Sequence, residues 1–324
     1  MARATPDVSL NSAPRLYAAI EAGGTKFICA LGTGPADLIA TRIPTTTPGE
    51  TLARVADWLR TCKTQSFSES SPLAAAGIAS FGPLDLDPAS PTYGHITTTP
   101  KPGWANFDFA GAVRRALNVP VAITTDVNAA ILAEAEWGAA RGIASSLYLT
   151  IGTGIGGGAL LNGRLLQGHL HPEMGHIRLP RDPSDPFPGL CPYHADCLEG
   201  LASGPALAAR WGAPAEQLPP DHPAWLLEAR YLAHALANFA HTFSPRRIIL
   251  GGGVMENLAL FDLIRPELSR LLAGYIPAPD VLPPALAPRS GILGALFLAE
   301  QLSAEQISAE QISAPPAGIG QPSS

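Results

Sequence analysis

Leu147 to Gly163 reads LYLTIGTGIGGGALLNG. A β-prone run, Leu147 to Ile151, enters a glycine cluster, Gly152-Thr153-Gly154-Ile155-Gly156-Gly157-Gly158, that contains the spacing GxGxxG. A dinucleotide-binding fingerprint of that spacing must open a helix. Here the chain continues into a second apolar run, Ala159 to Leu161, closed by the turn pair Asn162-Gly163. The stretch therefore predicts strand, glycine turn and strand, and it argues against a dinucleotide-dependent oxidoreductase.

The same pattern recurs upstream. Leu16 to Ile20 and Phe27 to Leu31 flank Gly23, Gly24 and Thr25, a second strand, turn and strand; Lys26 follows, but the GxxxxGK[ST] spacing of a P-loop is missing. A third cluster, Gly251 to Gly253, follows the strand-like run Arg247 to Leu250 and leads into helix. Between the clusters lie a helix from Pro48, with Thr47 and Glu50 in a capping-box pattern, and helical spacing at Phe107, Ala110, Val113 and Leu117. Further strands are predicted at Ala75 to Ala79 and Val121 to Thr124, with helices over Val127 to Ala140 and Leu226 to Phe243. Alternation of this kind defines an α/β protein.

The chain has 324 residues, enough for two units of about 150 residues. Hydrophobic residues make up 46% and charged residues 15%, so a sizeable core is available. A net charge of −6 offers no basic footprint for nucleic acid or anionic lipid. The uncharged stretch Gly142 to Gly163 is too rich in Gly, Ser and Thr for a membrane span, and Met1 to Arg15 lacks an apolar signal segment, so a cytoplasmic location is expected. The ends, 1–15 and 303–324, read as disordered tails; the second contains SAEQI twice.

Three glycine clusters favour a nucleotide-phosphate site, because turns without side chains bring backbone N–H groups close to an anion. A second constellation is Cys191-x-x-His194-x-x-Cys197, with His176 upstream: four soft or borderline ligands, the complement of a tetrahedral, structural Zn²⁺. Cys29 and Cys62 read as packing residues. Asp126 stands where a strand gives way to a helix, a position that suits either an N-cap or a general base at the carboxyl end of a strand. Glu173 and Glu199, beside the metal loop, could accept hydrogen bonds from sugar hydroxyls. Trp104, after Pro102 and Gly103, fits an apolar sugar wall or a core position.

Taken together, Glu21 to Lys26, Thr99 to Trp104, Thr125 to Ala129, Gly152 to Gly158, Glu173 to His176 and Cys191 to Glu199 resemble the ROK family of bacterial sugar kinases, most closely its fructokinase branch. The resemblance runs from Tyr17 to about Leu298. It implies an actin-like (ribonuclease H-like) ATPase fold: one domain of 16–125 plus a C-terminal helix of about 291–302, a second of 126–290 carrying the zinc loop, and the active site in the cleft between them. It implies that Gly23, Gly24, Thr25 and Lys26, with Thr153 and Gly154, handle ATP phosphates, and that Gly252 and Gly253 lie on the adenosine side. Asp126 falls on the family's catalytic base, and Glu173, His176 and Glu199 on its sugar contacts, His176 binding zinc through one ring nitrogen and facing the sugar with the other. Mg²⁺ accompanies ATP, and a homodimer is implied. Two departures stand out. Thr125 replaces the Asn that contacts aldohexose in ROK glucokinases, and His194 replaces one of their zinc thiolates, the form of the fructokinase branch, which should still bind zinc. The resemblance thus implies transfer of the γ-phosphate of ATP to the 6-hydroxyl of D-fructose, the alternatives being a broader hexokinase that takes mannose or glucose and a sugar-binding ROK regulator without catalysis. The few residues before Leu16 do not supply the DNA-binding domain that ROK repressors carry.

Overall fold

The computed structural model describes residues 14–313. In chain order the elements begin β1 (Leu16–Ala22), β2 (Lys26–Gly32), β3 (Ile39–Pro44), α1 (Pro48–Ser66), β4 (Leu73–Ser80), β5 (His95–Ile96), β6 (Phe107–Asp108), α2 (Phe109–Leu117), β7 (Val121–Thr125) and α3 (Asp126–Glu136). They continue β8 (Ser146–Ile151), β9 (Ile155–Leu161), β10 (Arg164–Leu165), α4 (Leu198–Ala202), α5 (Gly204–Trp211), α6 (Ala224–Phe243), β11 (Arg247–Gly251), α7 (Ala259–Leu272), β12 (Asp280–Leu282) and α8 (Ser290–Ser313).

Two five-stranded sheets share one topology. The first runs β3-β2-β1-β4-β7 and the second β10-β9-β8-β11-β12. In each, three consecutive strands form an antiparallel meander; the first of the three pairs with a parallel strand that arrives by a crossover, and that strand pairs in turn with a second parallel one at the edge. Both meanders turn through a predicted glycine cluster, so the repeat in sequence is a repeat in structure. Burial follows: Leu16, Ile20, Phe27, Ile78 and Phe109 pack the first half, while Leu147, Ile151, Leu236 and Leu250 pack the second. α3 lies between them. Ala129 and Ala133 meet α8, and Val127, Ala130 and Ile131 meet the second sheet through Tyr148, Leu160 and Ile249. No helix among the described residues is long and apolar enough to cross a membrane.

Three sequence expectations are corrected. The tail expected from residue 303 is helical as far as Ser313, because Ala, Glu and Gln are strong helix formers and no Gly or Pro follows Gly294 within α8; Ser303 is buried and its hydroxyl accepts from Arg15. The remaining tail calls, residues 1–13 and 314–324, lie outside the described residues. Thr47 is the N-cap of α1 but makes no side-chain cap bond; Thr46 N–H instead donates to the Thr51 hydroxyl at 2.9 Å, and Glu50 pairs with Arg54, so the capping box does not form. Phe107 belongs to β6, because Asp108 caps α2 by accepting from Gly111 N–H at 2.8 Å.

Candidate active site

A cleft of about 470 Å³ is lined by Glu21 near the end of β1, Asp126 at the start of α3, Thr150 near the end of β8 and Gly251 to Gly253 at the end of β11, together with Pro284 and Ser290. The two meander turns follow directly on the strands that carry Glu21 and Thr150. In the first turn the carbonyls are committed within the protein. Gly23 O accepts from the Thr45 hydroxyl at 2.9 Å, Gly24 O from Lys101 Nζ at 2.8 Å, and Thr25 O from Thr45 N–H at 3.0 Å. Gly23 N–H is committed as well, donating to Lys26 O at 3.0 Å, so what this turn offers an anion is the amides of Gly24 and Thr25. Thr25 and Lys26 are exposed, as is Thr153 in the second turn. Gly252, at φ +92°, sits where a Cβ would overlap the Ile151 backbone, so only glycine fits the end of β11.

Asp126 is the first residue of α3, but it does not cap the helix. That task falls to Thr125, whose hydroxyl accepts from Asn128 N–H at 3.2 Å. The Asp126 carboxylate keeps one local bond, from Val127 N–H at 2.9 Å. Gly158 of β9 lies against the Val127–Asn128 backbone at a distance no Cβ could share, which fixes the start of α3 on the second sheet. Burial pushes the Asp126 pKa up to about 6, reinforced by the charge of Glu173. Glu21, across the cleft on β1, is pushed up to about 7 by burial and by Asp126, with Lys26 pulling the other way. Its Oε2 is buried without a hydrogen-bond partner among the described residues.

The four metal candidates come together. The ligand atoms of His176, Cys191, His194 and Cys197 lie within 4.8 Å of one another. His176 Nδ1 is 3.7 Å from Cys191 Sγ and 3.6 Å from Cys197 Sγ, and His194 Nδ1 is 3.7 Å from Cys191 Sγ. Zn–S and Zn–N bonds of about 2.3 and 2.0 Å at tetrahedral angles span about 3.5 Å between donors. The donor set and spacing thus fit Zn²⁺. Without a cation, burial pushes the Cys197 thiol up to about 11, with Cys191 and Glu199 adding to the rise. With Nδ1 turned to the cluster, His176 keeps Nε2 for the opposite side. Cys29 and Cys62 are buried, as expected of packing residues.

The sugar-contact candidates divide. Glu173 remains half-exposed and close enough to act on Asp126. Glu199 gives one oxygen to Ile155 N–H at 2.9 Å, bracing the second glycine turn, and has its other oxygen free of hydrogen bonds among the described residues. Thr125 is buried and spent on its cap. Trp104 is not a sugar wall. It is 1% exposed, enclosed by Phe27, Phe81, Phe107 and Phe109 at ring separations of 5.4 to 6.1 Å, and its Nε1 donates to Thr46 O at 2.8 Å. Aromatic packing from three parts of the chain decides its place.

Three residues without a sequence-derived role matter here. Glu21 had a local signal, a carboxylate at a strand end beside paired glycines. Lys101, in the Pro100-Lys101-Pro102 run, places its ammonium on the first turn. Glu134 is fully buried in α3 and accepts from Ala139 N–H, Ala285 N–H, Leu286 N–H and the Ser290 hydroxyl, at 2.7, 3.1, 3.0 and 2.8 Å. It ties α3 to the loop that forms the far wall of the cleft.

Comparison with known proteins agrees with this geometry. The ROK family model matches residues 17–302. A fructokinase of Pediococcus pentosaceus is 45% identical over 88% of this chain and 98% of its own length. A fructokinase of Zymomonas mobilis is 43% identical, covering 88% of this chain and 96% of its own. Among solved structures, a ROK family glucokinase from Streptomyces griseus in complex with glucose and AMPPNP superposes with a TM-score of 0.67 at 26% identity, covering 88% of this chain and 99% of that one. The duplicated sheets are those of an actin-like ATPase fold, and the chain belongs to the ROK family, in the branch of its fructokinases.

Proposed function

We infer that this protein is an ATP-dependent fructokinase, which transfers the γ-phosphoryl group of ATP to the 6-hydroxyl of D-fructose to give fructose 6-phosphate and ADP. The observation that carries the reading is Asp126: a carboxylate at the floor of the cleft, relieved of capping by Thr125 and tuned to about 6 by burial. A base of that pKa is ionised near neutral pH yet still able to hold a proton. It takes the proton of the 6-hydroxyl as the oxygen attacks phosphorus; the new O–P bond forms, the bond from the γ-phosphorus to its bridging oxygen breaks, and ADP leaves.

The remaining roles follow from position. The amides of Gly24 and Thr25 and those of the Thr153-Gly154 turn receive phosphate oxygens, with Gly23 giving the first turn its shape and Lys26 at its edge. Gly252 and Gly253 shape the adenosine side, Gly252 at a position where a Cβ would overlap the Ile151 backbone. Glu173, the free oxygen of Glu199 and Nε2 of His176 hold sugar hydroxyls. Mg²⁺, when bound with ATP, offsets phosphate charge, and the unpartnered Oε2 of Glu21 facing Asp126 fits a cation held there. Zn²⁺ at His176, Cys191, His194 and Cys197 orders the loop that bears Glu199. The two bodies that close on substrate are assigned as 16–125 with the start of α8, and 126–290. Fructose is favoured over glucose because Thr125 has no amide and its hydroxyl is occupied. Initial rates of ADP release with MgATP and fructose, mannose, glucose or N-acetylated hexosamines test the reading: fructose should dominate, and turnover led by another hexose overturns the substrate assignment.

A further inference from the structure

Two loops meet beside Glu173 without any role in the chemistry derived so far. One follows β4 of the first sheet, Phe81 to Leu86; the other follows β10 of the second, residues 166 to 173. Leu84 buries its side chain in the first core, at 1% exposed, while its backbone N–H points across and donates to His171 Nε2 at 3.1 Å. A second bond runs in the opposite sense, from Gln167 Nε2 to Leu86 O at 2.8 Å. Gly82 lies beneath the imidazole: a Cβ there would stand 3.3 Å from His171 Cε1, so the ring rests on bare backbone.

Accepting at Nε2 fixes the tautomer of a neutral imidazole, with the proton on Nδ1. That N–H faces Glu173 Oε1 across 3.6 Å. The His171 side chain is 7% exposed and that of Glu173 is 49% exposed, so a buried, hydrogen-bonded ring steadies a carboxylate open to ligand. Beside them lies a hollow of about 330 Å³ lined by Asp85, Ser90, His169 and Leu170. Residues of both loops line it, Pro83 and Leu84 from one and His171 and Glu173 from the other.

We propose that His171 is a positioning residue for the sugar. It clasps the Phe81–Leu86 loop to the loop that precedes Glu173, and so holds both the closed cleft and the orientation of the Glu173 carboxylate. Phosphoryl transfer needs a cleft closed against water, and the population of the closed form multiplies directly into apparent sugar affinity. A tenfold change in that population is about 1.4 kcal/mol, within the net worth of one buried hydrogen bond. The nucleotide wall, built from Gly251 to Gly253 and the Glu134-bound loop, does not pass through this contact. This role rests on the fructokinase reading above.

The test uses the full-length zinc-loaded protein with His171→Phe, which keeps a ring but removes the acceptor, and His171→Gln, whose amide oxygen reaches the Leu84 N–H. For His171→Phe the KM for fructose should rise about tenfold, with the KM for ATP, kcat and zinc content within about twofold of wild type. His171→Gln should recover most of the loss. Hydrogen exchange at the Leu84 amide, measured without substrates, should quicken about tenfold in His171→Phe alone. An unchanged fructose KM, or equal rises for fructose and ATP, overturns the positioning role. Absence of hexose turnover by the wild type removes the fructokinase reading instead, and unaltered Leu84 exchange in His171→Phe then overturns the clasp on its own.

Discussion

The Thr125 hydroxyl accepts from Asn128 N–H at 3.2 Å, and this one bond separates two tasks that Asp126 could otherwise share. An Asp that caps a helix has its carboxylate neutralised by amides and its pKa held low. Relieved of that bond, Asp126 rises to about 6 because burial outweighs the lowering by nearby backbone amides, Val127 N–H foremost, with Glu173 adding a smaller push upward. The base form is lost below that value, so kcat/KM for fructose should fall about tenfold per pH unit below about pH 6. A profile flat down to pH 5 contradicts the assignment.

The same shift has a consequence for stability. A carboxylate whose folded pKa is raised binds its proton more tightly when folded, so its contribution is present below its unfolded value near 4 and is lost as pH rises through about 6. Asp126→Asn should therefore be more stable than wild type at pH 7.5, by on the order of 1–2 kcal/mol after discounting for solvent, with the gap closing towards pH 4. Denaturant unfolding at the two pH values measures it. A variant equally stable at both removes the claim that burial sets this pKa.

Glu134 gives each of its oxygens to two donors, three of the four in different segments from its own. Glutamine offers a single acceptor oxygen and turns an NH₂ group towards two N–H or O–H donors. Glu134→Gln should cost about 2 kcal/mol in unfolding free energy. Its KM for ATP should rise several-fold while that for fructose holds, because the freed loop, Ala285 to Ser290, faces the nucleotide side. Equal effects on both substrates mean that Glu134 serves general stability alone.

Removing the metal tests the four-ligand cluster. Binding energy at a structural zinc site is folding energy for the loop it ties, here the segment from His176 to Glu199. Chelation or Cys191→Ser should abolish zinc binding, lower the unfolding temperature and weaken fructose binding through Glu199 and His176. A zinc-free wild type of undiminished stability and sugar affinity contradicts the ordering role.

What was legible in the sequence was what neighbouring residues decide. The turn at Gly152 to Gly158 is read as a hairpin because Ala159 to Leu161 follows, and Cys-x-x-His-x-x-Cys announces a metal through donor chemistry alone. The glycine clusters gave the cleft for the same reason. Features that depend on distant partners were not legible. Trp104 becomes a core residue through Phe27 and Phe81, Glu134 finds Ser290 far along the chain, and His171 finds Leu84 across the cleft. The helical SAEQI repeat shows a further limit: its polarity suits a solvated tail, yet α8 continues through it on helix propensity.

Single-turnover phosphoryl transfer by Asp126→Asn, with fructose and MgATP and with fructose affinity measured in parallel, addresses the central claim most directly. Loss of the base should lower the transfer rate by about 10²–10⁴-fold. Fructose affinity should stay within about threefold, because Glu173, His176 and Glu199 remain in place. Transfer within tenfold of wild type would contradict the account, since the proton of the 6-hydroxyl would then be going elsewhere.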